Sequence, residues 1–139
     1  MSNINSTLKF ENYIVENIEF KANFECSGDK YDIEFDFDSE YSIEENKFIL
    51  HLETVIFPEA IKNDYPFTMR VKIAGLFEID PNIDEKTKKN FIEKNSVAIL
   101  FPYLRALVSV YTSNANVGNF MLPPINVVKY LENKRKNKN

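Results

Sequence analysis

Seven carboxylates, Asp32, Glu34, Asp36, Asp38, Glu40, Glu44 and Glu45, stand between Tyr31 and Asn46 with no basic residue among them. Carboxylates at this density hold a calcium ion when a tight turn with a central glycine crowds them together. This stretch has no glycine, and alternate residues of a strand rise by about 7 Å, so the first four spread along one strand face instead. Such a face is either simply solvated or a docking surface for a basic partner. His51 is the only histidine, with Glu53 two residues on. A general base needs a nucleophile within hydrogen-bond reach, and none is marked in the sequence. Cys26 is the only cysteine, which rules out a zinc cluster and a disulfide within the chain; Lys30 is the only flanking base that can lower its pKa. Phosphate-binding loops and nucleophile elbows are absent. The chain therefore reads as a non-enzyme, with no metal and no cofactor.

The side chains it does have in surplus are apolar. Its 139 residues include 12 Phe and 7 Tyr but no Trp, and only 3 Gly. A chain of this length makes one domain, 1–139, with a sufficient core and no staples. Aromatic surplus without catalytic groups points to a binding protein. The 17 basic and 21 acidic residues give a charge of -4. That figure conceals a basic tail of net +4 from Lys129 to Asn139, read as a solvated helix end rather than a nucleic-acid contact, on a body of net -8. Residues 1–7 and 133–139 are expected to be flexible ends. No basic stretch followed by an apolar run opens the chain, and no apolar segment approaches the length of about 20 residues that spans a bilayer. One unpaired thiol fits a reducing compartment. The expectation is a soluble, cytoplasmic protein.

Ile18, Phe20, Ala22 and Phe24 alternate with polar residues, as do Tyr31, Ile33, Phe35 and Phe37 after a Ser27–Gly28–Asp29 turn. Both read as half-buried strands. A third strand runs from Phe48 to Phe57, apolar on both faces near its end and stopped by Pro58. A fourth runs from Phe67 to Ile79, where Gly75 suggests a bulge. After Pro81 the period changes. Asp84 caps a helix through Glu93. Past Asn95, Leu100, Phe101, Leu104, Leu107, Val108 and Tyr111 form a wide apolar helical stripe, with Pro102 marking a kink or a fresh first turn and the end near Ser113–Asn116. A last helix begins near Asn126. The class is α+β: a four-stranded antiparallel sheet followed by a long helix and a shorter C-terminal helix.

Three segments carry a resemblance. Ile73–Phe77 (IAGLF), Ile99–Arg105 (ILFPYLR) and Leu122–Asn126 (LPPIN), in this order and spacing, resemble the export chaperone SecB family, and Asn17–Ala22 (NIEFKA) looks like its first strand. The resemblance covers about Leu8 to Leu131. It implies a dimer of dimers, a homotetramer with the long helices sandwiched between sheets. It also implies an ATP-independent holdase that binds unfolded polypeptides along apolar grooves. Carried over by position, the groove involves Val117, Phe120, Leu122 and Ile125, joined by Phe57 or Tyr130; the alternative is that these fill the protomer core. Phe101, Tyr103, Leu104 and Leu107 read as helix packing and assembly.

In the family, acids on the solvent face of the sheet receive the basic tail of the SecA motor. Aligned to this chain, those positions hold Asn17, Lys21 and Arg70, with Thr68 in place of an apolar contact. Two acids have become bases, which turns attraction into repulsion. The acidic stretch Asp32, Glu34, Asp36 and Asp38 is a candidate for a displaced docking face. Three readings follow: a general export holdase, a SecB-like chaperone dedicated to an antitoxin, and a protein binding a small apolar ligand.

Overall fold

The computed structural model describes residues 8–28 and 31–137. Residues 1–7, 138 and 139, and Asp29 and Lys30 of the expected turn, lie outside them. Four antiparallel strands, β1 (Leu8–Ala22), β2 (Phe35–Glu44), β3 (Lys47–Ile56) and β4 (Phe67–Ile79), form one sheet in the order β1-β4-β3-β2. The strictest alternation sits in central β4, where Phe67, Met69, Val71, Ile73, Phe77 and Ile79 are buried on one face. β1 and β2, consecutive in sequence, lie at opposite edges. The connection between them crosses the end of the sheet, about 14 Å at ordinary strand spacing.

β1 is twice the expected length. Its pairing with β4 shifts between Phe10 and Asn12 and again between Val15 and Asn17, so Glu11 and Glu16 are bulge residues. Each bulge resets the alternation: the core-facing series is Leu8, Phe10, Tyr13, Val15, Ile18, Phe20 and Ala22, a period of two broken twice. Phe24 does not continue it; it lies beyond the strand and is 97% exposed. Gly75, by contrast, marks no bulge. β4 runs through it in unbroken register with β3, and it is a point of close approach, where an added Cβ would lie 2.8 Å from Phe77 and 3.0 Å from Leu100.

β2 is displaced from its expected position. Tyr31 to Glu34 are not strand; the last bond to β3's end is the one the Glu34 carbonyl accepts from Phe57 N–H at 2.8 Å. The strand instead continues through Glu44 and turns at Glu45, which takes a positive φ of 58°. Between β3 and β4 the chain makes a short helix, α1 (Ala60–Asn63).

From Glu85 to Asn114 the chain is helical without a break: α2 (Glu85–Asn90), a π-helical turn (Phe91–Asn95) and α3 (Ser96–Asn114). Asp84 caps it as expected, accepting from Thr87 N–H at 2.9 Å. The expected break at Asn95 is absorbed by the π turn. By length and apolarity this helix meets the criterion for a membrane span, against the sequence expectation. Here it lies on the sheet, with Val97, Leu100, Phe101, Leu104 and Val108 buried. Pro102 sits on its exposed side, where the carbonyl of Ala98, which loses its partner, is on the solvent side as well. Three α3 side chains spaced by four and three, Arg105, Ser109 and Thr112, hold the next connection through the Leu122 carbonyl (2.6 Å), Asn119 Oδ1 (2.8 Å) and Phe120 N–H (3.1 Å). Asn126 Oδ1 then accepts from Lys129 N–H at 3.0 Å and opens α4 (Val127–Asn137). Residues 133–137, expected as part of a flexible end, are the last turns of that helix.

Candidate functional site

Ile56 faces the core, so a regular strand would send Phe57 to solvent. The left-handed backbone at Phe57 (φ 52°) returns its ring to the core side, where it is fully buried. There it meets Tyr65 at 4.7 Å, Phe67 at 5.2 Å, Phe120 at 5.5 Å and Tyr31 at 6.1 Å. Glu59 and Asp64 also take positive φ, at 54° and 58°. Three such residues within eight store strain of order 1–3 kcal/mol each, which the surroundings must hold in place. They do so through the β1–β2 connection. Asn23 Nδ2 donates to the carbonyls of Ala60 (3.2 Å) and Tyr65 (2.9 Å), and Ser27 donates to Asp64 from its N–H (3.1 Å) and its hydroxyl (2.6 Å). The Ser27 bonds hold the Asp64 carboxyl below its usual value. Cys26 hydrogen-bonds the Tyr31 hydroxyl; that bond, then burial, pushes Tyr31 up to about 12.

Beside this tied corner the outer edge of β1 opens onto a groove of about 960 Å3. Ile18, Phe20, Ala22, Ile61 and Tyr111 give it apolar walls, and Glu19, Lys21, Glu59, Lys62 and Arg70 line its rim. Phe20 and Tyr111 pack at 5.6 Å. Ile61, 69% exposed, lies on α1, and Phe24 in the adjacent connection is nearly bare. Sequence reading missed both: Phe24 prolonged an alternation and read as inward, and Ile61 stands in a segment with no periodicity.

Of the six residues placed in the groove from sequence, Phe57 and Leu122 are fully buried, and Val117, Phe120, Ile125 and Tyr130 are half-buried against the core. Phe57 and Phe120 touch. Tyr130 lies apart, with Phe35 at 6.3 Å and Phe37 at 5.6 Å, and its hydroxyl donates to Asp36 at 2.6 Å. Among the packing residues, Phe101 and Leu104 face the sheet and Leu107 is half-buried. Tyr103, 41% exposed, packs at a tilt against Phe10 (5.6 Å) and Tyr13 (4.7 Å).

The acidic stretch does not form one strand face. Asp32 and Glu34 precede β2, and Glu34 accepts from the Tyr65 hydroxyl, which raises the Tyr65 pKa. Asp36 and Asp38 lie on the strand and are already engaged by Lys134 of α4, at 2.8 and 2.9 Å. Burial alone would raise the Asp36 carboxyl, but the bonds from Lys134 and Tyr130 outweigh it and hold it below its usual value.

The solvent face of the sheet is likewise self-paired. The bulge at Glu16 brings its carboxylate within 2.5 Å of His51 Nδ1, across the small side chain of Ala74. Lys72 lies between Glu16 (3.8 Å) and Glu40 (3.7 Å), and Arg70 pairs with Glu53 (3.6 Å). Register sets Asn17 beside Lys72, Glu19 beside Arg70 and Lys21 beside Thr68. The Thr68 hydroxyl is used inside the fold, donating to the Phe57 carbonyl (2.6 Å) and accepting from Ala60 N–H (3.0 Å). Among the described residues, no group of three or more His, Cys, Asp or Glu side chains has the arrangement to hold a metal ion.

Comparison with known proteins agrees with this architecture. The fold is similar to that of a SecB-like chaperone of Mycobacterium tuberculosis, solved in complex with an antitoxin peptide: TM-score 0.68, 13% identity, 86% of this chain and 88% of that one. A Streptococcus agalactiae protein of unknown function also matches, with TM-score 0.54 and 17% identity over 84% of this chain and 96% of that one. In sequence, the chain is 39% identical to an uncharacterized protein of Methanocaldococcus jannaschii over 130 residues, 91% of this chain and 83% of the relative. It is 30% identical to the protein-export protein SecB of Orientia tsutsugamushi over 127 residues, 91% of this chain and 76% of the relative. The family model for SecB, preprotein translocase subunit SecB, matches residues 13–138, and on that span, order and spacing the chain belongs to the SecB family.

Proposed function

We propose that this protein is a molecular chaperone that binds non-native polypeptides without nucleotide and keeps them from aggregating. The observation that carries the reading is the apolar groove along β1, open to solvent and flanked by exposed Phe24 and Ile61 on a SecB-type fold. Exposed aliphatic and aromatic side chains in one concavity take up apolar segments whatever their sequence. Each contact is modest at roughly 25 cal/mol per Å2 of apolar surface buried, and linked contacts along one client sum to tight binding. Assembly into a homotetramer would multiply such grooves on one particle. The outer side of α3, where Tyr103 and Val110 are exposed, is the surface available for it.

Within this reading, a client dedicated to this chaperone, such as an antitoxin, is favoured over general export. The motor-docking positions carry Asn17, Lys21 and Arg70, Thr68 is consumed inside the fold, and the acids nearby are paired with the chain's own bases. The test is light scattering of a heat- or dilution-denatured client with and without the protein, in the absence of nucleotide. Substoichiometric suppression is expected, weakened several-fold by Ile61→Asp, whose side chain lies outside the core. Equal aggregation with and without the protein would refute the function. A pull-down from the native cell with mass spectrometry then separates one dominant client from a broad export set with the motor.

A further inference from the structure

α4 is a weak helix by its own sequence. Of its eleven residues only Val127 and Leu131 are buried, and its last turn carries Lys134, Arg135 and Lys136. A helix this short does not hold itself in water. Besides the Tyr130 hydroxyl, its polar tie to the sheet is one ammonium group that reaches round the free edge of β2. Lys134 Nζ lies 2.9 and 2.8 Å from the two oxygens of Asp36, 2.9 Å from Asp38 Oδ1 and 2.9 Å from the Phe37 carbonyl. Tyr130 donates to the same Asp36 oxygen at 2.6 Å. The other ion pairs of α4, Glu132 with Lys94 at 3.4 Å and Arg135 with Glu93 at 3.9 Å, are longer and run to the neighbouring helix rather than to the sheet.

What α4 covers is aromatic. Phe37 is fully buried, its ring edge-on to Tyr130 and to Phe101 at 5.6 and 5.5 Å, and Phe35 packs against Tyr130. Along the same side of the same edge strand, past the end of the helix, Tyr41 and Ile43 are already 47% and 41% exposed. The strip Phe35, Phe37, Tyr41, Ile43, interrupted on that face only by Ser39, is half covered by α4. On an edge strand the unpaired backbone groups beside such a line suit an extended polypeptide.

We infer that Lys134 is a latch: its bridge to Asp36 and Asp38 sets how often α4 leaves β2, and each release bares Phe35 and Phe37 to a non-native polypeptide. The second half rests on the chaperone function proposed above; the first does not. Because the ammonium is part-exposed and the bridge is ionic, salt weakens it.

Hydrogen–deuterium exchange on the full chain tests the latch, comparing wild type with Lys134→Met, which keeps the apolar stem, and Asp36→Asn, which keeps the shape. In both variants α4 amides are expected to exchange about tenfold faster while β3 and β4 are unchanged. High salt should speed α4 exchange in wild type and leave Lys134→Met unaffected. Reduced, carboxymethylated lactalbumin, a permanently unfolded probe, should bind both variants several-fold more tightly. Unchanged α4 exchange in both variants, or loosening that spreads to β3 and β4, overturns the latch. Faster exchange with no gain in affinity overturns its role in client access. Wild type that binds no unfolded probe refutes the chaperone reading, and exchange still decides on the latch.

Discussion

Gly75→Ala adds one methyl group where β4 and α3 come closest. The backbone there is ordinary strand in register with Tyr13 and Leu50, so alanine meets no conformational penalty. Alanine even gains about 0.4–1 kcal/mol by restricting the unfolded chain. The space is the difficulty. The new carbon would lie 2.8 Å from Phe77 Cε1 and 3.0 and 3.1 Å from the two Leu100 methyl groups. Neither neighbour can yield freely: Phe77 is stacked on Phe48 at 5.0 Å and 9°, and Leu100 is fully buried beneath α3. Overpacking of this kind costs about 1–3 kcal/mol, which exceeds the gain. The expected net is a loss of about 1–2 kcal/mol, or roughly 3–8 °C in Tm for a domain of this size. Urea and thermal unfolding at one fixed protein concentration measure it, since assembly would otherwise shift the apparent stability. A double-mutant cycle with Leu100→Ala localises the effect, because removing the Leu100 methyl groups should relieve part of the Gly75→Ala loss while the Phe77 contact at 2.8 Å remains. A Tm equal to or above wild type, or strictly additive losses in the cycle, would refute close approach as the reason for glycine.

Two further outcomes follow from the geometry. A carboxyl held low contributes stability that is complete above its unfolded value near 3.8 and is lost as pH falls through the folded value. Lys134 is opposite in sign: burial pulls its pKa down, the bonds to Asp36 and Asp38 prevail and raise it, and its contribution is complete below 10.5 and lost above the folded value. The α4 contacts should therefore hold across neutral pH and fail below about pH 4 before the sheet does, seen as α4 amide signals lost ahead of those of β4; loss of α4 near neutrality would contradict the ion-pair account. Val110→Glu places a charge on the outer side of α3, where Val110 is 59% exposed, so the protomer should keep its stability within about 0.5 kcal/mol. If four chains of 16.3 kDa associate through that side, light scattering should fall from about 65 kDa toward a smaller species. An unchanged mass would exclude this face.

Much of the fold is legible in the residues. β4 and β3 pack in the interior of the sheet, and their inward positions read as apolar apart from Thr54 and Gly75. β1 was half-legible: Glu11 and Glu16 each add a residue to it, and a bulge is a property of pairing with β4 that leaves no local signal. The long helix was clear in its stripe and wrong in its segmentation. A π turn absorbs the misfit at Asn95, and Pro102 is tolerated because it faces outward. The groove was the least legible part. Ile61 and Phe24 are distant in sequence, and only the bonds from Asn23 and Ser27 to the α1 corner bring their segments together.

The sequence by itself determined the class of chain: too few histidines, cysteines and glycines for the usual chemistry, an aromatic surplus, strand and helix periods in a fixed order, and the three segments that carry the SecB resemblance. Only the tertiary structure decided what the acids and the aromatics do. Asp36 and Asp38, legible as a charged face, are held by Lys134 almost a hundred residues later. Phe57, which follows the core-facing Ile56 in a strand pattern, is swung inward by a left-handed turn. Both outcomes depend on where distant segments meet, and a periodicity reports only which side of its own element a residue occupies.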